Sequence, residues 1–462
     1  MPDSWIPAGP HGRALRGRAL IVSICVTLLT ATLAWGVVGG AAADEVVPTQ
    51  PEIAPTLSTL PAEPAAGGGA TPAGVLAALG PVLTDSALLP PVSVLVADGT
   101  TGTVITDVNG SVPLLPASTL KLLTAVTALV ALDDDGHVTT RVLRDPDGTV
   151  VLVGAGDPLL TLAPDPAAPG ASLAELAVLT AARLRAEGVT EVPVTIDDSA
   201  FTGPVAALGW EESDLTGCLV RPITALALHV PNTAECQPDP DPALTAGAVF
   251  AELLAGQGLA VVGEVTRRQA APAAPELAAA QSGPVSAMVE QMLSESDNTS
   301  AEMLAHLAGA AMADDPSFTG GVAATNQVLR DLGIDTTDLV IFDGSGLSLL
   351  DRMRPTTALA VLDRVMRGGN QQLWPTSSGL AVAGFDGTLA ERFSTPETAA
   401  GRGDVRAKTG TLTGVSALSG QVVSKDGQLL TFVMISNGVA DVLAAREVLD
   451  RAATALAECG CR

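Results

Sequence analysis

Ser118 stands three residues ahead of Lys121, and the run that follows, Leu122-Leu123-Thr124-Ala125-Val126-Thr127-Ala128-Leu129, is apolar almost all round. Such a run reads as a helix buried in a core. A serine is favoured at a helix start, where free backbone N–H groups point outward. If the helix has begun by Ser118, both side chains share one face. A lysine held against a buried helix is costly to keep charged, so its pKa should fall. A neutral amine beside a hydroxyl is a general base beside a nucleophile. The competing reading makes Ser118 an ordinary N-cap and sends Lys121 to solvent, and the pair alone does not decide. Composition sharpens it: of 24 basic residues only three are lysine, Lys121, Lys408 and Lys425. Arginine does not release its proton in a protein, so a lysine kept at this spot is what a base requires.

Two further polar groups interrupt apolar elements. Ser296 and Asn298 lie in the turn Ser294-Glu295-Ser296-Asp297-Asn298-Thr299, between helical patterns at Val285–Leu293 and Ser300–Ala311. Lys408-Thr409-Gly410-Thr411 precedes an antiparallel pattern, Val415–Val423 and Leu429–Ile435, joined by a turn at Ser424–Gly427 that holds Lys425 in solvent. Each group alone could be a cap or a turn. In this order, with two of the three lysines used, coincidence is improbable.

The surrounding elements divide in two. Pro91–Val96 and Thr103–Thr106 flank Asp98-Gly99 as a hairpin. From Arg141 to about Gln281 the character changes: a hairpin about Asp145-Pro146-Asp147-Gly148, a helical pattern at Leu173–Glu187, and short strands at Val192–Ile196 and Val261–Thr266. This stretch reads as a separate α/β unit placed between Ser118 and Ser296. A helix with one apolar face, Val439–Ala457, closes the chain. Asp133-Asp134-Asp135-Gly136 lacks the later ligands of a calcium loop and reads as a turn. No metal or other cofactor is expected.

The chain has 462 residues, more than one ordinary domain, and its net charge of −26 excludes nucleic-acid binding, which needs a basic face. Arg13, Arg16 and Arg18 precede an uncharged stretch, Ala19–Ala43, apolar over Leu20–Val38, with a small-residue cleavage pattern at Ala41-Ala42-Ala43. Residues 1–43 are therefore expected to be an export signal; the apolar segment at 19–38 is also long enough to stay as a membrane anchor. Residues 44–73, rich in Pro, Ala and Gly, read as a linker. Cys218 and Cys236 are close enough to staple a loop in an oxidising compartment, whereas Cys459 and Cys461 have no clear partner or ligand set. No Gly-x-Ser-x-Gly is present for a Ser-His-Asp hydrolase, and Ala407 before Lys408 excludes a P-loop.

Ser118-x-x-Lys121, Ser296-x-Asn298 and Lys408-Thr409-Gly410 together resemble the signature of the penicillin-recognising serine DD-peptidases. The nearer resemblance is to the D-alanyl-D-alanine carboxypeptidase/endopeptidase family, the class C low-molecular-mass penicillin-binding proteins. It is carried by Gly156-Asp157-Pro158, Gly209-Trp210 with Asp214-Leu215, Asp343-Gly344-Ser345-Gly346-Leu347-Ser348, Ala383-Gly384-Phe385-Asp386-Gly387-Thr388-Leu389 and Ala407–Val415, and runs from about residue 75 to the C-terminus. The family inserts domains between the first two motifs, and the 178 residues from Ser118 to Ser296 leave room for one.

What the resemblance implies is an α/β (α+β) fold: a penicillin-binding, serine β-lactamase-like domain at 74–140 and 282–462, with an antiparallel sheet flanked by helices, and an inserted α/β domain at 141–281. It implies a serine D-Ala-D-Ala carboxypeptidase, or an endopeptidase, acting on peptidoglycan stem peptides in the cell envelope and inhibited by β-lactams. Ser118 would be the nucleophile and Lys121 its base. Ser296 would relay the proton to the leaving amine, Asn298 orient the substrate amide, and Lys408 fix the electrostatics. Thr409 and Thr411 would hold the terminal carboxylate beside Gly410, and Asp214 would face the cleft from the insert. Some relatives carry a pair like Cys218 and Cys236. Leu349, with Arg352 beyond it, stands where many relatives have a basic residue. The alternatives are a β-lactamase on the same fold and a non-catalytic wall-binding protein, although no motif residue is missing.

Overall fold

Alternation with a period of two, buried on both faces, organises the larger half of the molecule. In the strand Leu429–Asn437, Val433 and Ile435 face one core while Leu430, Phe432 and Met434 face another. Val92–Asp98 splits in the same way, Leu95 and Ala97 against Val94 and Val96. A strand covered on both sides reads as a continuous apolar run. The sheet has six strands in the order Ala381–Val382, Val405–Leu412, Val415–Val423, Leu429–Asn437, Val92–Asp98, Val104–Val108, all neighbours antiparallel.

The computed structural model describes residues 69–462 apart from 89, 165–169, 232–234, 368 and 370. The expected export segment, its apolar stretch at 19–38 and nearly all of the linker at 44–73 lie outside the described residues. Among the described residues no helix is long and apolar enough to cross a membrane.

One face of the sheet is covered by Pro72–Leu83 and Val442–Ala457, which bring Val75, Leu79, Val448, Leu449 and Leu456 onto it. The other carries Lys121–Leu132, Val285–Glu295, Asn298–Ala313 and Pro355–Arg367. Every residue from Lys121 to Leu129 is buried, as the all-round apolar run requires. Each fully buried Leu, Val or Phe contributes roughly 1.5–3 kcal/mol relative to exposure. The resulting α+β architecture agrees with the expectation from sequence.

The second sheet is built wholly from residues between Thr139 and Gln281. Its order is Thr266–Arg267, Val194–Asp197, Val150–Val153, Thr139–Arg144, Glu276–Gln281, with the entering and leaving strands paired antiparallel. Helices Leu173–Ala186 and Pro242–Gly256 close its own core around Val142, Leu152, Ile196 and Phe250. The single strand expected at Val192–Ile196 is two, Glu191–Val192 and Val194–Asp197, which join different sheets either side of Pro193. Proline lacks the N–H that would continue a ladder.

Candidate active site

Ser118 lies inside a short 3-10 turn, Ala117–Leu120, that runs directly into the Lys121–Leu132 helix. It does not cap that helix: no side-chain hydrogen bond closes either N-terminus, because a residue within the turn already has its backbone wound. Ala117 ahead of it has φ +48°, a left-handed conformation that costs energy in a residue with a Cβ and recurs at functional sites. The Ser118 hydroxyl is thereby free of the backbone, and its Oγ lies 3.0 Å from Lys121 Nζ.

Lys121 does not reach solvent; it is completely buried. Its amine has two other partners, Asn298 Oδ1 at 2.6 Å and the backbone carbonyl of Ser345 at 2.9 Å. Both are obligate acceptors. A neutral amine has two N–H groups and one lone pair, so donation to these two carbonyls directs the lone pair at Ser118. Burial pulls the Lys121 pKa down to about 8, against the opposing charges of Glu302, Asp343 and Asp297.

Asn298 is the first residue of its helix, with Asp297 as N-cap accepting from the Ser300 backbone N–H at 3.1 Å. Ser296 closes the preceding helix in a left-handed conformation, φ +59°, which brings its side chain to the cavity in front of Ser118. Lys408 sits buried in the edge-proximal strand Val405–Leu412 and donates to the Thr409 carbonyl at 2.9 Å. Its pKa lies well below the ordinary value through burial, then through the charges of Lys121 and Arg392. Gly410 lies in tight quarters: a Cβ there would stand 3.1 Å from the Pro116 carbonyl and 3.2 Å from Ala117 Cβ. A side chain there would require the serine turn or the strand to give by a few tenths of an ångström. Thr409 and Thr411, with Ser118, Ser296 and Asn298, line a cavity of about 510 Å³.

The Asp343–Ser348 loop supplies a partner that sequence reasoning treated only as a motif phrase. Asp343 accepts the Gly346 and Ser348 backbone N–H groups at 2.8 and 2.7 Å. Glu302, fully buried, accepts those of Gly344 and Ser345 at 2.8 and 2.7 Å. The Ser345 carbonyl is thus held toward Lys121 by two carboxylates. Burial, and then the Asp343 charge, raise Glu302 to about 8. A lone acid four residues after Asn298, amid Ala301, Met303 and Leu304, is the signal that could have found Glu302.

Asp214 turns its carboxylate to the Glu211 backbone N–H at 2.7 Å, closing the first turn of the short helix Glu212–Thr216, and contributes no wall to the cavity. Cys218 and Cys236 are joined, and that bridge does form part of the cavity wall. Cys459 and Cys461 face each other across Gly460, Cα atoms 4.9 Å apart. Arg392 also reaches the cavity, anchored behind by Asp450.

Comparison with known proteins agrees with this geometry. A carboxypeptidase of Mycobacterium tuberculosis is 37% identical over 438 residues, covering 92% of each chain. The D-alanyl-D-alanine carboxypeptidase of an Actinomadura species is 32% identical over 438 residues, covering 77% of this chain and 80% of that one. Penicillin binding protein 4 of Haemophilus influenzae has a similar fold, with a TM-score of 0.67 at 24% identity, over 81% of this chain and 97% of that one. The model of the D-Ala-D-Ala carboxypeptidase 3 (S13) family matches residues 75–240 and 236–459, taking in all three motifs that converge on Ser118. The chain belongs to the D-Ala-D-Ala carboxypeptidase 3 (S13) family.

Proposed function

We propose that the protein is a serine D-Ala-D-Ala carboxypeptidase that cleaves peptidoglycan stem peptides through an acyl-enzyme on Ser118, outside the cytoplasm. The observation that carries this is the three-way contact of Lys121, with two carbonyl acceptors and Ser118 Oγ as the third partner. Lys121 takes the Ser118 proton as Oγ attacks the carbonyl of the penultimate D-Ala. Backbone N–H groups of Ser118 and Thr411 hold the developing oxyanion. Ser296 passes a proton to the departing amine, and Asn298 orients the substrate amide. Lys408 fixes the electrostatics, while Thr409 and Thr411 hold the terminal carboxylate. Gly410 permits the close approach that shapes this edge. Water then releases the product.

We place catalysis in 74–140 and 282–462, with 141–281 as the insert and 1–43 as the export segment. A β-lactam, a strained amide with a similar carboxylate, stays on Ser118. Intact mass after incubation with penicillin, with peptide mapping, should find one adduct, on Ser118. Defined muropeptides should release D-Ala; release of cross-linked partners instead would make the enzyme an endopeptidase. An adduct on any other residue refutes the assignment.

A further inference from the structure

Both acceptors of Lys121 are themselves gripped from the insert. Asn298 donates its Nδ2 to the Leu219 carbonyl at 2.7 Å. An asparagine amide has nearly the same shape either way round, so what meets one end decides what the other presents. The Leu219 carbonyl only accepts, which fixes Nδ2 toward it and Oδ1 toward Lys121. With that carbonyl withdrawn, the amide can rotate and set a donor against the Lys121 donors.

The second acceptor, the Ser345 carbonyl, belongs to the loop held by Asp343. Trp210 Nε1 donates to Asp343 Oδ2 at 2.8 Å. Two more bonds fasten the same arm to the same loop: Ser348 Oγ to the Leu208 carbonyl at 2.8 Å and the Leu349 N–H to the Gly209 carbonyl at 3.3 Å. Gly209 is required here, at φ +92°, because a Cβ would meet Ser348 Oγ.

The arm is seated firmly. Val220 and Ile223 are buried with Met303, Phe318 and Leu347. Trp210 stands edge-on to Phe318, ring centroids 5.5 Å apart, and the Arg221 N–H donates to Thr299 Oγ1 at 3.1 Å. Cys218 adopts φ +57°, and the two N–H groups after it, Leu219 and Val220, both donate to the Asp214 carbonyl at 2.9 and 3.3 Å. The bridge to Cys236 ties down this turn, the one that aims the Leu219 carbonyl.

We propose that the Leu208–Arg221 arm is a positioning element for the general base, fixing both acceptors of Lys121 and, through them, the direction of its lone pair toward Ser118. Trp210 and the Cys218–Cys236 bridge are its two working parts. The proposal rests on the reading of Ser118 and Lys121 as nucleophile and base. The inserted unit then serves the chemical step itself as well as walling the cavity.

The test uses the full chain with Trp210→Phe and with the double change Cys218→Ser, Cys236→Ser. Acylation by a fluorescent penicillin is followed at several concentrations, separating affinity before reaction from the acylation rate constant, over the pH range in which Lys121 titrates. The charged groups facing Lys121 are Glu302, Asp297, Asp343 and Lys408, all intact in both variants. The rate constant should fall roughly 10- to 100-fold, the cost of a slight misplacement of reacting groups, with affinity little changed. In Trp210→Phe the Asp343 charge loses a donor and favours the ammonium, so the rising limb should also move to higher pH. Folded variants that acylate at the wild-type rate on an unshifted limb, or that lose affinity alone, overturn the proposal. Should Trp210→Phe not fold, the cysteine pair decides. Wild-type protein that takes no label on Ser118 overturns the reading of the site instead.

Discussion

Replacing Lys121 by arginine separates a base from a mere charge. In the folded protein the lysine pKa falls from 10.5 to about 8. At pH 7 that raises its neutral fraction roughly 300-fold, from about 0.03% to about 10%. Acylation by penicillin should therefore climb about tenfold per pH unit on the acid side and level off above about pH 8. Arginine keeps the charge and much of the length but stays protonated. Its variant should lose at least about 10²-fold in acylation, the usual floor for removing a general base, and its residual rate should lack the limb near pH 8. Stability has its own sign. Between about 8 and 10.5 the unfolded chain holds a proton on Lys121 that the folded one has released, so the Lys121 contribution to stability rises with pH across that window, a rise that the Lys121→Arg protein should lack. Urea unfolding at each pH, run beside the labelling, keeps misfolding apart from lost chemistry. A folded Lys121→Arg protein that acylates near the wild-type rate, or a wild-type profile flat through pH 8, would refute the assignment of the base.

Two further outcomes follow from buried charge. Asp351 accepts the Phe342 N–H at 2.9 Å and is pushed up to about 10 by burial and then by Asp343, so it holds a proton in the folded state that the unfolded chain lacks above its ordinary 3.8. Asp351→Asn should raise stability at neutral pH by up to about 4 kcal/mol, with the gain shrinking toward acid pH; a variant less stable at every pH in urea titrations contradicts this. Arg392 and Asp450 form a buried pair, Nε to Oδ2 at 3.1 Å. Asp450→Ala strands the guanidinium and should cost about 3–5 kcal/mol by thermal or urea unfolding, whereas a loss under about 1 kcal/mol would mean that water relieves the charge.

The parts of the molecule legible in the sequence are those set by local pattern. The strands Val415–Val423 and Leu429–Asn437 could be read because each is mostly apolar and a Ser424–Gly427 turn separates them. Ser118, Lys121, Ser296, Asn298 and Lys408 stood out because polar residues interrupt apolar elements in a fixed order. Ser345 and Leu219 could not be found that way, since both act through backbone carbonyls and any residue could supply the atom. Asp214 was expected to face the cleft, yet its side chain is committed to the Glu211 N–H; only its backbone carbonyl, through the Leu219 N–H, connects it to the site. Helix Pro355–Arg367 went unread although its apolar face is strong, and Pro242–Gly256 because Ala, Val and Leu run around its whole circumference and blur the helical period.

A base near neutrality surrounded by acids poses a physical difficulty. Glu302, Asp343 and Asp297 all favour a protonated Lys121, and left to themselves they would hold the proton on the amine. The structure limits their influence by giving each of them other donors. Glu302 takes the Gly344 and Ser345 N–H groups, Asp343 takes those of Gly346 and Ser348 together with Trp210 Nε1, and Asp297 takes the Ser300 N–H and hydroxyl. A carboxylate whose oxygens already accept N–H groups projects less of its charge onto a neighbour, because the donor dipoles oppose it. Two buried amines in one site cannot both hold a proton at low cost, and here it is Lys408 that yields: burial, and then the charges of Lys121 and Arg392, push its pKa down. The acids therefore serve mainly to anchor backbone, and the same hydrogen bonds that orient the Ser345 carbonyl also weaken the pull on the Lys121 proton. Geometry and basicity are set together, which is why a change confined to the arm or to the Asp343 loop should move the pH limb as well as the rate.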